Sequence, residues 1–357
     1  MARLSYSFLI FVIAFQNLCI VVNAAPSPDE TTVGRAKCNT LQIRKEWRDI
    51  SVEDRKDYVR AVKCLMNTPS SSPREGVKSR FDEFQGSHID LTDEVHQVGH
   101  FLAWHRHYLT LYDKALREEC GYRGPGTYWD WTRDADGPGL MRDSPIFDPE
   151  TGFGGNGVPG TYTPPPAAPG NPGFPGFPGL PPGGGFGNQG CVGTGPFKNV
   201  TINLGPGRNI GAHCLVRGIN EPMKQSVTSA NVRTIMVETT FERFRTLLEN
   251  GGRGIAGLGI HGGGHGVVGG ELMDPASSPG EPLFYLHHGN LDRIWWKWQS
   301  VDPKNRLYAL SGPTTQRPPF TNITLDFLMP FTSLSPRVAV RDVMDTESEP
   351  SCFQYND

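Results

Sequence analysis

Residues 259–299 read GIHGGGHGVVGGELMDPASSPGEPLFYLHHGNLDRIWWKWQ. Histidine is the commonest protein ligand for transition metals. His261 and His265 stand four apart, so on a helix they share one face and can grip one ion. His287 and His288 follow. They open a run in which Leu291, Ile294, Trp295 and Trp298 fall on one side of a helix. A single HxxxH is a weak signal. A second cluster strengthens it: His88, His96 and His105 in HIDLTDEVHQVGHFLAWHRHYL (88–109). All 10 histidines of the chain lie between His88 and His288.

Ligand type narrows the chemistry. A set made only of imidazoles suits copper, zinc or nickel. Hydrolytic zinc of the HExxH kind needs a glutamate after the first histidine, where this chain has Gly262. A carboxylate-bridged di-iron centre needs inward glutamates in an ExxH pattern, absent from both clusters. His261-Gly262-Gly263-Gly264 matches the HGGG oxyanion loop of esterases, but the chain has no G-x-S-x-G nucleophile motif. These exclusions leave a metal centre bound by imidazoles alone, with copper among the candidates. The three glycines each cost roughly 1 kcal/mol against alanine in a helix. Their missing side chains read as an opening towards the metal.

The wording of both clusters resembles the type-3 copper family of tyrosinases, catechol oxidases and haemocyanins. FLAWHR (101–106) is similar to that family's FLPWHR, and EPLFYLHHGNLDRIWWKWQ (281–299) to its DPxFxLHHxxxDRxWxxWQ. The resemblance runs from about Cys38 to the C-terminus and is strongest to the short secreted polyphenol oxidases of fungi. It implies two copper ions, each held by three imidazoles, with dioxygen between them and a phenolic small molecule as substrate. The family pattern maps onto His88, His96 and His105 for copper A, and onto His261, His265 and His288 for copper B. His288 is preferred to His287 because Asp292 follows it by four residues and can accept the other ring N–H. His287 then neighbours the site. Glu249 resembles the family glutamate that orients a water, and is the expected proton-handling residue. Gly262 and Gly266 follow the first two copper B histidines, and Pro275 stands where some relatives carry a bulky gate. All three are expected to leave the substrate approach open. Many relatives join a cysteine to the second copper A histidine. Here Glu94 and Ser79 occupy the two positions such a cysteine takes, so His96 is expected to be unmodified.

Composition sets the surroundings. The formal net charge is −3, with no basic stripe to neutralise phosphates, which argues against a nucleic-acid partner. MARLSYSFLIFVIAFQNLCIVVNA (1–24) has Arg3, an apolar run and small residues at Val22 and Ala24, so a secretory signal peptide cleaved after Ala24 is expected. The run is broken by Gln16 and Asn17 and falls short of the roughly 20 apolar residues of a membrane span. Apart from Cys19, the cysteines are Cys38, Cys64, Cys120, Cys191, Cys214 and Cys352. An even set in an exported chain implies disulfides, whose pairing the sequence leaves open. Asn199 and Asn322 open N-glycosylation sequons.

Several helices are expected. Ser51 and Asp54 start one that carries Tyr58, Val59, Val62 and Leu65 and ends at Pro69. A second, short one holds Phe81 and Phe84, with His88 in the loop after it. A third runs from Phe101 to Glu119, and another from Val227 to Asn250. The aromatic motif Tyr128-Trp129-Asp130-Trp131 reads as packing. Residues 154–190 are a Gly/Pro-rich stretch read as a surface insertion within one domain, 25–357, because the copper set needs both its sides. The tail reads as loops and short strands. The fold expected is mainly α, a central four-helix bundle holding a dicopper centre. The activity implied by the resemblance is that of an oxidoreductase turning o-diphenols (catechols) into o-quinones while dioxygen becomes water. The alternatives are a tyrosinase with true monophenol hydroxylation and a haemocyanin-like oxygen carrier.

Overall fold

Ser51 accepts a hydrogen bond from the Asp54 N–H and starts helix α1, Val52–Asn67. The buried face of α1 carries Tyr58, Val59, Ala61, Val62 and Leu65. Helix α2 spans Arg80–Val95 and is longer than expected. A capping box between Ser79 and Asp82 starts it. It does not stop before His88, because Phe84, His88, Ile89, Leu91, Thr92 and Val95 are all buried. Burial holds polar residues in a helix that their composition alone would end. Helix α3, Phe101–Glu118, agrees with its expected bounds to within a residue. The computed structural model describes residues 36–163, 189–250 and 258–356; the expected leader 1–24 lies outside them.

The expected helix over 227–250 is two helices. A short helix α4, Thr132–Ala135, comes earlier. Then α5 spans Ser229–Met236 and α6 spans Phe241–Asn250. The break turns the Glu238 carbonyl out to accept from Trp298 Nε1 at 2.7 Å, and Thr240 Oγ1 accepts from the Arg243 N–H. Helix α7, Gly259–Val268, contains the HGGGH segment. Helix α8, Leu283–Val301, is buried on almost every side, the signature of a central helix.

Helices α2, α3, α7 and α8 form the four-helix core and carry five of the six expected copper histidines, with His96 at the C-terminal cap of α2. Around it lie short strands. Strand β1, Gln42–Glu46, pairs in parallel with Gly126–Tyr128 (β2) and with Phe353–Tyr355 near the C-terminus. Cys38–Cys352 closes the same end, Cys64–Cys120 ties α1 to the end of α3, and Cys191–Cys214 joins two strands of the small β region. All six expected cysteines are therefore paired.

The Gly/Pro-rich stretch is narrower than read. Phe153 is fully buried and stacks on Phe197 at 5.5 Å. Gly157–Pro159 (β3) pairs with Gly190–Val192 (β4). The ladder and the ring contact place both edges of the stretch in the fold, and only 164–188 lie outside the described residues. Among the described residues no helix is long and apolar enough to cross a membrane.

Candidate metal centre

The helices bring two triplets of histidine together. His88 lies within α2, His96 at its C-terminal cap and His105 on α3. His261 and His265 lie on α7 and His288 on α8. In each triplet one ring nitrogen per histidine lies within 4.8 Å of the others. The triplets face each other: His105 stacks on His288 with centroids 4.4 Å apart, and His96 on His261 at 5.9 Å.

Hydrogen bonds fix the tautomers. His88 Nδ1 meets the Ala276 carbonyl at 2.8 Å, His96 Nδ1 the Thr92 carbonyl at 2.9 Å, and His105 Nδ1 the Phe101 carbonyl at 2.8 Å. A carbonyl oxygen can only accept, so each Nδ1 carries the proton and each Nε2 presents a lone pair. His88 Nε2 and His105 Nε2 are buried without a partner. His265 repeats the scheme, donating from Nδ1 to the Leu272 carbonyl at 2.6 Å. Its Nε2 lies 3.2 Å from both His261 Nε2 and His288 Nε2. Converging lone pairs in a buried site repel unless a proton or a cation lies between them, and a metal ion held by all three would satisfy them together. Burial also holds all six imidazoles below their ordinary pKa, His265 at about 4. They are neutral and ready to ligate. The donor set thus fits two imidazole-bound copper ions.

Comparison with known proteins agrees. The family profile described as "Common central domain of tyrosinase" matches residues 78–301, more than half of the chain. The chain belongs to the tyrosinase family. It is 34% identical over 340 residues to tyrosinase P of Aspergillus terreus, covering 89% of this chain and 93% of that one. It is 35% identical over 356 residues to the N-acetyl-6-hydroxytryptophan oxidase of Emericella nidulans, covering 89% and 94%. A point mutant of the polyphenol oxidase from Thermothelomyces thermophila shares the fold with a TM-score of 0.76 at 32% identity, covering 89% of each chain. As a tyrosinase-family protein the chain is a copper-binding oxidoreductase by type.

Other expected site residues take different places. Asp292 does not meet His288. Helical side chains lean towards the N-terminus, so the His288 ring lies over Phe284 with centroids 4.2 Å apart. The Asp292 carboxylate instead binds Arg106 Nε at 2.5 Å, Arg44 Nη1 at 3.2 Å and the Tyr355 hydroxyl at 2.6 Å. It anchors β1 and the tail to the copper B helix. His287 is buried beside the site, its ring centroid 4.7 Å from that of His265, and its Nδ1 accepts from Trp131 Nε1 at 3.3 Å. The packing motif at 128–131 therefore also fixes a site-side tautomer.

The glycines divide. A Cβ at Gly264 would lie 2.2 Å from His287 Cε1, one at Gly263 would lie 2.7 Å from Ser226 Cβ, and one at Gly266 would lie 2.7 Å from Met223 Cε. These three let neighbours pack against α7, so Gly266 is not an access residue. Gly262 alone of the four is partly exposed. Pro275 is exposed on the loop behind His88, one residue before the carbonyl that holds its Nδ1.

Glu249 is buried at the end of α6. Its carboxylate accepts from the Gln97 N–H and from Arg245 Nη1. Burial raises its pKa to about 7, against the lowering effect of those two partners. Sequence reasoning missed the carbonyls of Ala276 and Leu272, and Gln97 and Gln316, because backbone acceptors and loop amides leave no pattern. Asn199 and Asn322 are both exposed. His100 and His107 are buried away from both triplets, packed on Phe327 and Phe331. His213 pairs with Glu271 at 3.0 Å.

Proposed function

We propose that this chain is a secreted polyphenol oxidase that takes o-diphenols to o-quinones, reducing dioxygen to water. Support comes from the lone-pair geometry: six Nε2 atoms in two facing triplets fit two copper ions. When bound, the copper pair supplies oxygen binding and the electron exchange with the phenol. The chain supplies the rest. Backbone carbonyls hold the rings of His88, His96, His105 and His265 in the metal-ready tautomer, and Phe101 and Phe284 pack against the ligand rings. Such apolar walls exclude water. Among the copper B ligands only His261 is half-buried, and Gly262 beside it is partly exposed. We place the phenol's approach there. A Cβ at Gly262 would press on the Leu258 side chain at 3.2 Å and on nothing else within 4 Å, so a side chain there needs Leu258 to shift by a few tenths of an ångström.

Monophenol hydroxylation is harder. A phenol titrates near 10 and must lose its proton first, which calls for a positioned base or water. Gly262 has no side chain to hold one, and both Glu249 oxygens are engaged. A catechol gives up electrons without oxygen insertion. Diphenol oxidation is therefore the main activity proposed, with weak or lagging action on monophenols. The Emericella relative is named for a ring with a single hydroxyl, which supports a phenolic substrate in general and does not favour diphenol over monophenol. The test compares initial oxygen uptake on 4-methylcatechol with that on tyrosine, then repeats both with Gly262→Asn. Monophenol turnover as fast as diphenol turnover in the unmodified enzyme would make the protein a tyrosinase in the strict sense.

A further inference from the structure

His96 is held unlike the other ligands. The other five sit within helices, whose own hydrogen bonds fix their backbones. His96 caps α2 in an extended conformation, φ −112° and ψ 149°. The next residue, Gln97, takes φ 57°, a left-handed conformation that costs a non-glycine residue free energy unless its surroundings enforce it.

Two outside segments supply that enforcement. On one side the Gln97 N–H donates to the Glu249 carboxylate from α6. Arg245 orients that carboxylate, with Nη1 3.2 Å from Glu249 Oε2 and Nη2 2.8 Å from Glu242 Oε1. On the other side Gln316 Nε2 donates to the His96 carbonyl at 3.0 Å. The Gln316 loop is itself docked on the turn, because the Gly99 N–H donates to the Pro313 carbonyl at 2.8 Å. Gly99 and Gly312 allow this close approach: a Cβ at Gly312 would lie 2.9 Å from Gly99 Cα. The peptide unit joining His96 to Gln97 is thus gripped on both its carbonyl and its N–H by side chains distant in sequence.

We propose that Glu249 and Gln316 are positioning residues, which hold Gln97 in its left-handed turn and so aim His96 at copper A. The assignment rests on the copper reading given above and differs from a proton-handling role for Glu249. Partners that orient a metal ligand are worth roughly 10- to 100-fold in metal affinity. Loss of the clamp should release one copper selectively, because the copper B ligands do not touch it.

The test measures copper per chain, on the full-length protein, after equilibration with graded chelator. Glu249→Ala should lose one of its two coppers at roughly 10- to 100-fold lower chelator than the unmodified protein. Gln316→Leu, a loop change with less risk to folding, should weaken the same ion to a smaller extent. Adding Gln97→Gly to Glu249→Ala should restore that ion, since glycine adopts the left-handed turn without help. The retained copper B reports that the core is folded. Glu249→Ala holding both ions as tightly as the unmodified protein would overturn the proposal, leaving a purely catalytic role. Failure of Gln97→Gly to restore the ion, or loss of both ions together, would overturn it too. If the unmodified protein binds no copper, it is the copper reading that fails.

Discussion

Replacing Gly264 with alanine sets two effects against each other, and the structure decides which wins. Alanine in a helix gains roughly 1 kcal/mol over glycine. The new Cβ would lie 2.2 Å from His287 Cε1 and 2.3 Å from Nδ1, so something must move. The His287 ring is fully buried, is held by Trp131 Nε1, and has its centroid 4.7 Å from that of His265 and 5.1 Å from that of His288. It cannot retreat without pushing a copper B ligand. Overpacking a filled core costs about 1–3 kcal/mol, and a locked ring belongs at the upper end. Gly264→Ala should therefore lose about 2 kcal/mol net. Gly262→Ala is the control two residues away on the same helix. Its Cβ presses only on the Leu258 side chain, at 3.2 Å, which must give by a few tenths of an ångström, so only part of the roughly 1 kcal/mol gain should remain. The two variants should differ by about 2–3 kcal/mol in urea unfolding of the copper-free chains with disulfides intact. Equal stabilities would refute the packing account of the glycine run and return Gly264 to the substrate approach.

Three further outcomes are expected. His105→Ala and His265→Ala should each lose one copper by metal analysis and abolish catechol oxidation; full activity in either would mean the ligands are wrongly assigned. Deleting 165–187 and joining the ends with a short linker should leave copper content and activity nearly unchanged, because Val158 pairs with Cys191 and already brings the flanks together; a folded variant without activity would make the segment part of the substrate site. Finally, burial lowers the pKa of all six ligand imidazoles. Between those lowered values and an unfolded value of about 6.5, the unfolded chain binds protons that the folded chain does not. Stability of the copper-free protein should therefore fall as pH drops below about 6.5 and be insensitive to these groups above it. Urea midpoints from about pH 8 to about pH 5 check this, and a rise on acidification would contradict it.

The two histidine triplets that the structure brings together were legible in the sequence because a candidate ligand set leaves a mark in residue type and spacing. His261 and His265 share a helix face, and FLAWHR and LHHGNLDR place two more of the candidate ligands. What escaped depends on tertiary context. The sequence reading puts His88 in a loop after a short helix; the burial of Phe84, Ile89 and Val95, which tertiary packing decides, keeps α2 going. The helix expected over 227–250 breaks where Trp298, distant in sequence, needs the Glu238 carbonyl. Asp292 stands at the right spacing from His288 on the wrong side of its ring, because helical side chains lean backwards. The glycines at 263, 264 and 266 looked like an opening, yet each is pressed by a neighbour that no local pattern announces.

The most direct test of the central claim is oxygen uptake with 4-methylcatechol on the purified chain, with copper measured on the same sample. The account predicts two coppers per chain and uptake that stops when copper is stripped and returns when it is restored. A chain that carries both coppers, binds dioxygen and consumes none on adding the catechol would contradict it, and would make the protein an oxygen carrier instead.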